Sequence, residues 1–391
     1  MKIEKLSNLI LNNEQRNILD KIINNHGNVY LVGGCLRNFF LCVDINDIDV
    51  EVNNISFDKL KNILKDDILF INDKFKVITT KNKMDISLTR KETKIGHCYD
   101  DYELSFDNIA IKDTVLRRDF TMNALMYDYR NNKILDYVNG MKDINDRIIN
   151  VVNKDTYQED SIRVLRLLKY AFIYNLKISE DCKNVNIGLS KYLWYQPSTK
   201  TINLFRSIIL SSYFNIDEFF FYLDDFLELD KLKEHLTINK FHPEKSLFKH
   251  VKGCLIALSY FKNKLGTREY YLVFIALLFH DYGKLLTNKD HEIESVIYFE
   301  KYQPYFCENK KDIKMITNLI NDHMKIRELA EGNNIEEMKL LKNKYRNLFY
   351  LLEIIGTCDY AGRVINYDIN EIDERINTYQ NDIIKKYRMI K

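Results

Sequence analysis

Two residue patterns divide this chain, and the point where one gives way to the other limits the folds open to it. Alternation of polar with β-branched residues, the period-2 mark of a strand, is confined to roughly the first 150 residues. It is clearest in Asp47-Ile48-Asp49-Val50-Glu51-Val52, and Val29–Val32, Phe75–Thr79 and Met84–Leu88 read as companion strands of one sheet. An amphipathic helix is predicted ahead of them over residues 7–25, with Leu9, Ile10, Ile18, Leu19, Ile22 and Ile23 at helical spacing before His26-Gly27. From Tyr157 onward helical periods take over, at 160–175, 199–212, 216–226, 246–263, 270–280, 311–325 and 335–355. The pattern predicts an α+β chain: an N-terminal mixed-sheet head followed by an all-α remainder. Only 12 glycines and 3 prolines punctuate 391 residues, which disfavours a turn-rich all-β chain and agrees with a helical majority.

A single hydrophobic core stops growing near ~250–300 residues, so this length predicts two or three domains. Polar breaks at Ser179-Glu180-Asp181 and His242-Pro243-Glu244 are boundary candidates, and the expected division is 1–150, 151–240 and 241–391. The balance of charge is +2, so no global field recruits nucleic acid or membrane, and any nucleic-acid affinity must be local. A hydrophobic content of 46% excludes general disorder. Seven cysteines (Cys35, Cys42, Cys98, Cys182, Cys254, Cys307, Cys358) are odd in number and form no C-x-x-C, which argues against a disulfide framework or a zinc ribbon and favours a reducing cytosol. The longest apolar run, Tyr270 to Phe279, is ten residues, half of the ~20 that span a bilayer. Met1 to Asn12 carry acid and base without an apolar core, so no secretory signal is expected and the cytoplasm is the expected location. The basic end, Lys385, Lys386, Arg388 and Lys391, reads as a solvated helix face.

Chemistry gathers first after the strand Val29–Val32. Gly33-Gly34 lets a backbone approach a phosphate closely, with Arg37 available as a bidentate partner. Asp47 and Asp49 stand at i and i+2 of a strand and so share a face, where a cation relieves their repulsion. Hard Mg²⁺ suits such oxygens and keeps substrate phosphates as its other ligands, and Asp85 on a neighbouring strand offers a third carboxylate. A lone D-x-D also describes a charged edge strand; the combination with Gly33-Gly34-x-x-Arg37 favours the metal. Downstream, Arg117-Arg118-Asp119-Phe120-Thr121-Met122-Asn123-Ala124 reads as a helix start. Thr156-x-x-Glu159 has the form of a capping box that opens a helix just before Asp160. On that helix Asp160, Arg163 and Arg166 make a polar arc about 120° wide, either a solvated salt-bridge face or a rigid donor-acceptor edge able to pair with a base.

These segments resemble a known family. Leu31 to Val52, Leu116 to Ala124 and Glu159-Asp160-Ser161-Ile162-Arg163-Val164-Leu165-Arg166 are similar, in order, to three signatures of the class II CCA-adding enzymes (tRNA nucleotidyltransferases) and their relatives, the bacterial poly(A) polymerases. Thr89 to Glu92 and Asp136 to Ile149 fit the intervening stretches. The resemblance implies a nucleotidyltransferase head in which Asp47 and Asp49 hold Mg²⁺. It implies that Gly33, Gly34, Arg37, Arg118, Asp119, Asn123 and Arg166 serve the nucleotide triphosphate, while Asp160 and Arg163 read the base of CTP or ATP. The family has Asp after the Arg of its Gly-Gly motif, where this chain has Asn38. A weakened local network without loss of chemistry is expected there.

The helical remainder carries a second constellation: His250, His280-Asp281, His291, His323 and Asp359. His280-Asp281 closes the apolar run, so a buried helix delivers two ligand-type side chains at its end, and imidazole with carboxylate suits a transition metal that activates water. The set, with Tyr282-Gly283-Lys284 after the pair, resembles the HD phosphohydrolase superfamily, which some bacterial CCA-adding enzymes carry at this position. The resemblance implies His250, His280, Asp281 and Asp359 as the core metal ligands and His291 and His323 as additional ones. The expected function is addition of C, C and A to the tRNA 3′ end from CTP and ATP, with Mg²⁺ in the head. A transition-type divalent metal is expected at an HD site that cleaves phosphoesters such as 2′,3′-cyclic phosphates. The expected partners are tRNA, CTP and ATP, with no membrane and no obligate protein partner. The alternatives are a poly(A) polymerase or an enzyme adding only CC or only A, since the same pocket motifs serve all of them. An RNA-binding HD phosphohydrolase with an inactive transferase half rests on Asn38 alone.

Overall fold

The computed structural model describes residues 6–96, 101–107, 109–236, 243–332 and 334–385; Met1 to Lys5, Cys98, His242, Lys386, Arg388 and Lys391 lie outside them. Alternation builds the head sheet. Its seven strands are β1 (Asn28–Val32), β2 (Ile48–Asn53), β3 (Ile68–Asn72), β4 (Val77–Thr80), β5 (Met84–Leu88), β8 (Met126–Asp128) and β9 (Lys133–Leu135), with β6 (Lys91–Lys94) and β7 (Tyr102–Ser105) forming a separate hairpin. The spatial order is β3-β4-β5-β2-β1-β8-β9. Every pairing in it is antiparallel except β2 with β5, which is parallel. On β2 the even positions Ile48, Val50 and Val52 are buried with Leu31 of β1 and Ile86 of β5. Helices Asn13–Asn24 and Phe57–Leu64 pack together, and the first also packs on β1. The odd positions Asp49 and Glu51 therefore face the other way, on the side where Tyr30 and Val32 meet Val115, Ala124 and Met126.

The chain forms two compact units, Met1–Tyr195 and Gln196–Lys391. The first contains the sheet and the helix Ile162–Tyr174. In the second, the helix Thr267–Phe279 is buried on all sides from Tyr270 to Phe279, the condition of a core helix. Helices Leu247–Ser259, Lys310–Asp322 and Phe349–Ala361 surround it. Leu247–Ser259 and Phe349–Ala361 cross closely because small residues meet there: a Cβ at Gly253 would stand 2.3 Å from the Gly362 carbonyl oxygen. No helix among the described residues is long and apolar enough to cross a membrane.

Several predicted elements are divided in the structure. The helix expected over 7–25 is two, Leu6–Ile10 and Asn13–Asn24, because Asn12 forms a capping box with Gln15 and restarts the chain. The stretch 335–355 breaks at Arg346 (φ 51°) into Ile335–Tyr345 and Phe349–Ala361. The stretch 246–263 ends at Ser259. Helices Glu180–Asn186, Leu229–Glu234, His291–Phe306, Lys325–Gly332 and Ile369–Tyr379 add to those predicted. Among them His291–Phe306 carries Pro304 inside its last turns and too weak an apolar stripe to be read.

Candidate functional site

β1 ends at Val32, and Gly33 turns the chain into the short helix Gly34–Phe40 at φ +71°, in the left-handed region that favours glycine. Space demands it too, since a Cβ at Gly33 would stand 3.0 Å from Asp49 Oδ2 and 3.4 Å from Arg118 Nη1. The β-sheet register sets Asp49 opposite Val32 on one side and Asp85 on the other. Asp85 accepts a hydrogen bond from Thr79 Oγ1 at 2.6 Å, and Asp47 lies exposed just before β2. Burial holds the Asp49 carboxyl above the usual carboxylate range, and Asp85 and Asp47 add to this against the opposing pull of Arg118. A carboxyl held above its ordinary value beside two further carboxylates fits a hard divalent cation, which needs only one or two of them besides phosphate and water.

Behind this edge lies a network of buried charge. Glu51, on the same face of β2, is 1% exposed and ion-pairs with both Arg117 and Arg118. Burial opposes its charge, yet the two guanidinium groups hold Glu51 below its ordinary value. Arg117 also reaches Glu92 at 3.4 Å, and Glu92 pairs with Arg90 at 2.8 Å. Arg37 is fixed separately. Its guanidinium donates to Asn123 Oδ1 at 2.7 Å, to Asn38 Oδ1 at 2.8 and 3.1 Å and to the Tyr174 hydroxyl at 3.0 Å. It also stacks over the Tyr170 and Tyr174 rings, 4.6 and 5.0 Å from their centroids. Asn38 holds this grip as an amide, because its Nδ2 donates to the Asp44 carbonyl at 2.8 Å, a bond a carboxylate could not donate.

Asn123 passes the network on by donating to Asp119 Oδ1 at 2.8 Å, and Arg166 Nε donates to Asp119 Oδ2 at 2.6 Å. Burial opposes ionisation of Asp119, but Arg166 and Arg163 outweigh it and hold the carboxyl at about 2, below the ordinary 3.8. A carboxyl lowered on folding stabilises above its unfolded value and loses that contribution as the pH falls through its folded value. The stability gap between the parent chain and an Asp119→Asn variant should therefore be widest above pH ~4. It should close by about 2 kcal/mol as the pH falls toward ~2, as read by urea unfolding across that range.

Two local expectations fail here for the same reason, that side-chain bonding to the backbone competes with helix. Arg117 to Ala124 is no helix start: a 3-10 turn ends at Arg117, Arg118 is extended, and Thr121–Asn123 is another 3-10 turn. Nor does Thr156 open the downstream helix. Asn153 caps Lys154–Gln158, and the long helix begins at Ile162, whose amide donates to Asp160 Oδ1 at 3.1 Å. Asp160 thus stands ahead of the helix that carries Arg163 and Arg166. Arg163 is buried and donates to the carbonyls of Thr156 at 2.6 Å and Arg117 at 2.9 Å, which fixes its fork.

The second unit gathers the other predicted residues. His250 Nε2 lies 3.0 Å from Asp359 Oδ1, 3.4 Å from His280 Nε2 and 3.4 Å from Asp281 Oδ2. His280 Nε2 is 3.7 Å from Asp359 Oδ1. The far oxygen of Asp281, Oδ1, faces His291 Nε2 at 3.1 Å and His323 Nε2 at 3.8 Å. Asp281 Oδ1 and His291 Nε2 are buried without hydrogen-bond partners, although they lie this close. His280 and His323 turn their Nδ1 atoms to the carbonyls of Leu277 and Ile320, both at 2.7 Å, which aims each Nε2 into the cluster. Lys284 at 2.6 Å and Arg363 at 2.9 Å brace Asp281 and Asp359, and both carboxyls stay well below their ordinary values although burial opposes this. Tetrahedral bonds of ~2.0–2.3 Å separate donor atoms by ~3.3–3.8 Å, so the spacing and the orphaned atoms fit a metal. Two sets of donors lying within 4.8 Å of one another fall here, His250 with Cys254, His280 and Asp359, and His280 with Asp281 and His323.

Residues 29–150 match the poly A polymerase head domain. That head span holds the Gly33-Gly34 turn, Asp47, Asp49, Asp85 and the Arg117-Arg118 pair. A CCA-adding enzyme of Staphylococcus epidermidis is 31% identical over 177 residues, 42% of this chain and 41% of that protein. A multifunctional CCA protein of Pseudoalteromonas atlantica is 31% identical over 275 residues, 66% of this chain and 64% of that protein. The chain thus spans less than two thirds of the length of these relatives. The solved Thermotoga maritima CCA-adding enzyme complexed with tRNA aligns with 98% of this chain and 87% of its own, at a TM-score of 0.61 and 15% identity. A CCA-adding enzyme in complex with CTP aligns with 98% of this chain and 86% of its own, at 0.61 and 15%. The shared fold is an N-terminal mixed-sheet head followed by a largely helical body.

Sequence reasoning missed the residues that hold the predicted ones in place, among them Glu51, Tyr170, Tyr174, Cys254 and Arg363. Short offsets that went unread could have found two of them: Glu51 follows Asp49 by two and Cys254 follows His250 by four. Tyr170 and Tyr174 had no such signal, because their link to Arg37 is made only in space.

Proposed function

We propose that the chain is a template-independent nucleotidyltransferase that completes the tRNA 3′ end with C, C and A from CTP and ATP. One observation carries the reading: Asp49 stands in register with Asp85 and against Gly33 and Arg118, in a head of the poly A polymerase type. The names of the relatives and the tRNA and CTP complexes of structural neighbours support it. Asp47 and Asp49, with Asp85 beside them, would hold Mg²⁺, which when bound lowers the pKa of an attacking ribose hydroxyl and neutralises charge on phosphate and leaving pyrophosphate. Gly33-Gly34 leaves room for phosphate against the backbone, and Arg37, Arg118 and Arg166 pair with its oxygens. Asn123, Asp119 and Glu51 keep those cations in place. Asp160 and Arg163 satisfy the edges of C or A and leave G and U mismatched, a discrimination of ~1–3 kcal/mol per bidentate pair. The division of labour is a transferase head over 1–150, base reading and tRNA grip by shape over 151–240, and an HD-type phosphohydrolase over 241–391. In that last part His250, His280, Asp281 and Asp359 would hold a transition-type divalent ion, with His291 and His323 at an adjoining position, where such an ion when bound supplies an activated water for phosphoester cleavage.

The test is incubation of the full chain and Mg²⁺ with tRNA transcripts ending before C, after C and after CC, each labelled nucleotide being offered separately. Ordered incorporation of C, C and then A is expected. A long A tail on generic RNA would replace this reading with a poly(A) polymerase, and no incorporation would overturn it.

A further inference from the structure

Cys254 enters the second cluster without any sequence motif to announce it. It lies one helical turn beyond His250 on Leu247–Ser259, so both side chains leave the same face of that helix. The thiol is fully buried, and Sγ stands 3.6 Å from His250 Nε2. It belongs to a set with His250, His280 and Asp359 whose donor atoms all lie within 4.8 Å of one another. Four of the six edges of that set, 3.0, 3.4, 3.6 and 3.7 Å, bracket the ~3.3–3.5 Å of a tetrahedron built on bonds of ~2.0 Å to nitrogen or oxygen and ~2.3 Å to sulfur. The fold also reserves the place for sulfur. A Cβ at Gly362 would stand 2.5 Å from Sγ, so a glycine at the crossing of two helices keeps the thiol beside the histidines. The further contacts of Sγ are long, 3.9 Å to His250 Nδ1 and 4.0 Å to the Asp359 carbonyl.

Resting on the reading of this cluster as a metal site, we propose that Cys254 is a thiolate ligand there in place of Asp281, forming an N₂OS set with His250, His280 and Asp359 and leaving Asp281, whose Oδ1 faces His291 and His323, to the adjoining position. On binding, the sulfur–metal bond forms and the thiol proton leaves to solvent. The softness of sulfur turns the site toward Zn²⁺, Co²⁺ or Fe²⁺ and away from Mg²⁺ or Mn²⁺. The ordinary role of a buried cysteine, a small core hydrophobe, predicts no sulfur in the coordination sphere. The two therefore part in spectra and not only in activity.

The experiment loads the full-length apoprotein with Co²⁺ and, separately, Zn²⁺. It records the near-ultraviolet charge-transfer absorption of the cobalt form and the X-ray absorption fine structure of the zinc form. One sulfur scatterer at ~2.3 Å and a thiolate-to-cobalt band are expected. Cys254→Ser should keep a bound ion, lose the band and bind Zn²⁺ at least about tenfold more weakly, since removing even an outer-shell partner costs that much. Because the parent chain answers by itself, the proposal stays exposed even if the variant fails to fold. Co²⁺ bound without the band, or the band surviving in Cys254→Ser, overturns the thiolate and leaves the metal site standing. No Co²⁺ or Zn²⁺ bound by the parent chain overturns both.

Discussion

Under the proposed reading, nucleotide addition should fall by at least about a thousandfold when Asp49 is replaced by Ala, while the fold should lose nothing. The first half follows from the register: Asp49 is the carboxylate set between Gly33, Asp85 and Arg118, and stabilisation by a bound cation of ~4 kcal/mol corresponds to three powers of ten in rate. The second half follows from the same geometry. A carboxyl held above its ordinary value opposes folding at neutral pH, because the folded state disfavours its charge. Deleting it should leave stability unchanged or slightly raised. Single-turnover incorporation onto a tRNA lacking its last three nucleotides, together with urea unfolding of the same preparation, measures both. Retention of more than about a tenth of the rate would remove Asp49 from the reaction.

Glu51, two residues along the same strand and on the same face, should behave in the opposite way. It is buried, held below its ordinary value and the shared counter-ion of Arg117 and Arg118. Replacing it with Ala leaves the half-buried Arg117 and Arg118 with only Glu92 and Asp49 as counter-charges, and breaking a buried pair by deleting one partner costs up to ~3–5 kcal/mol. An arginine does not shed its proton in a folded protein, so neutralisation recovers none of that loss. Urea unfolding should show the head transition moved to much lower denaturant. Adding Arg117→Met to Glu51→Ala should restore part of the loss, because one stranded charge then goes. A change under ~1 kcal/mol for the single variant would mean that solvent reaches the network.

These contrasts mark how far the sequence could be read. Residues with a period or a fixed spacing were legible: the alternation of β2, the turn at Gly33-Gly34, the apolar run that ends in His280-Asp281. The strands Ile68–Asn72, Met126–Asp128 and Lys133–Leu135 were not, being short and defined by their partners in the sheet more than by their own pattern. The helix start placed at Thr156 failed because Asn153 and Asp160 offered the backbone rival bonds, a competition that spacing alone does not rank. At the candidate sites the ligand-type residues were legible one by one. Their supports were not, because Tyr174 on Arg37 and Arg363 on Asp359 act through contacts that only the folded chain creates.

The clamp on Arg37 has a consequence for a chain still being made. The last strand of the sheet ends at Leu135, whereas Tyr170, Tyr174 and Arg166 come from a helix that ends at Tyr174. A chain whose synthesis stops in the roughly forty residues between them has every strand of that sheet, the acidic edge included, but only Asn38 and Asn123 to hold the Arg37 guanidinium. Such a product carries the carboxylates and lacks the two tyrosine rings that clamp Arg37.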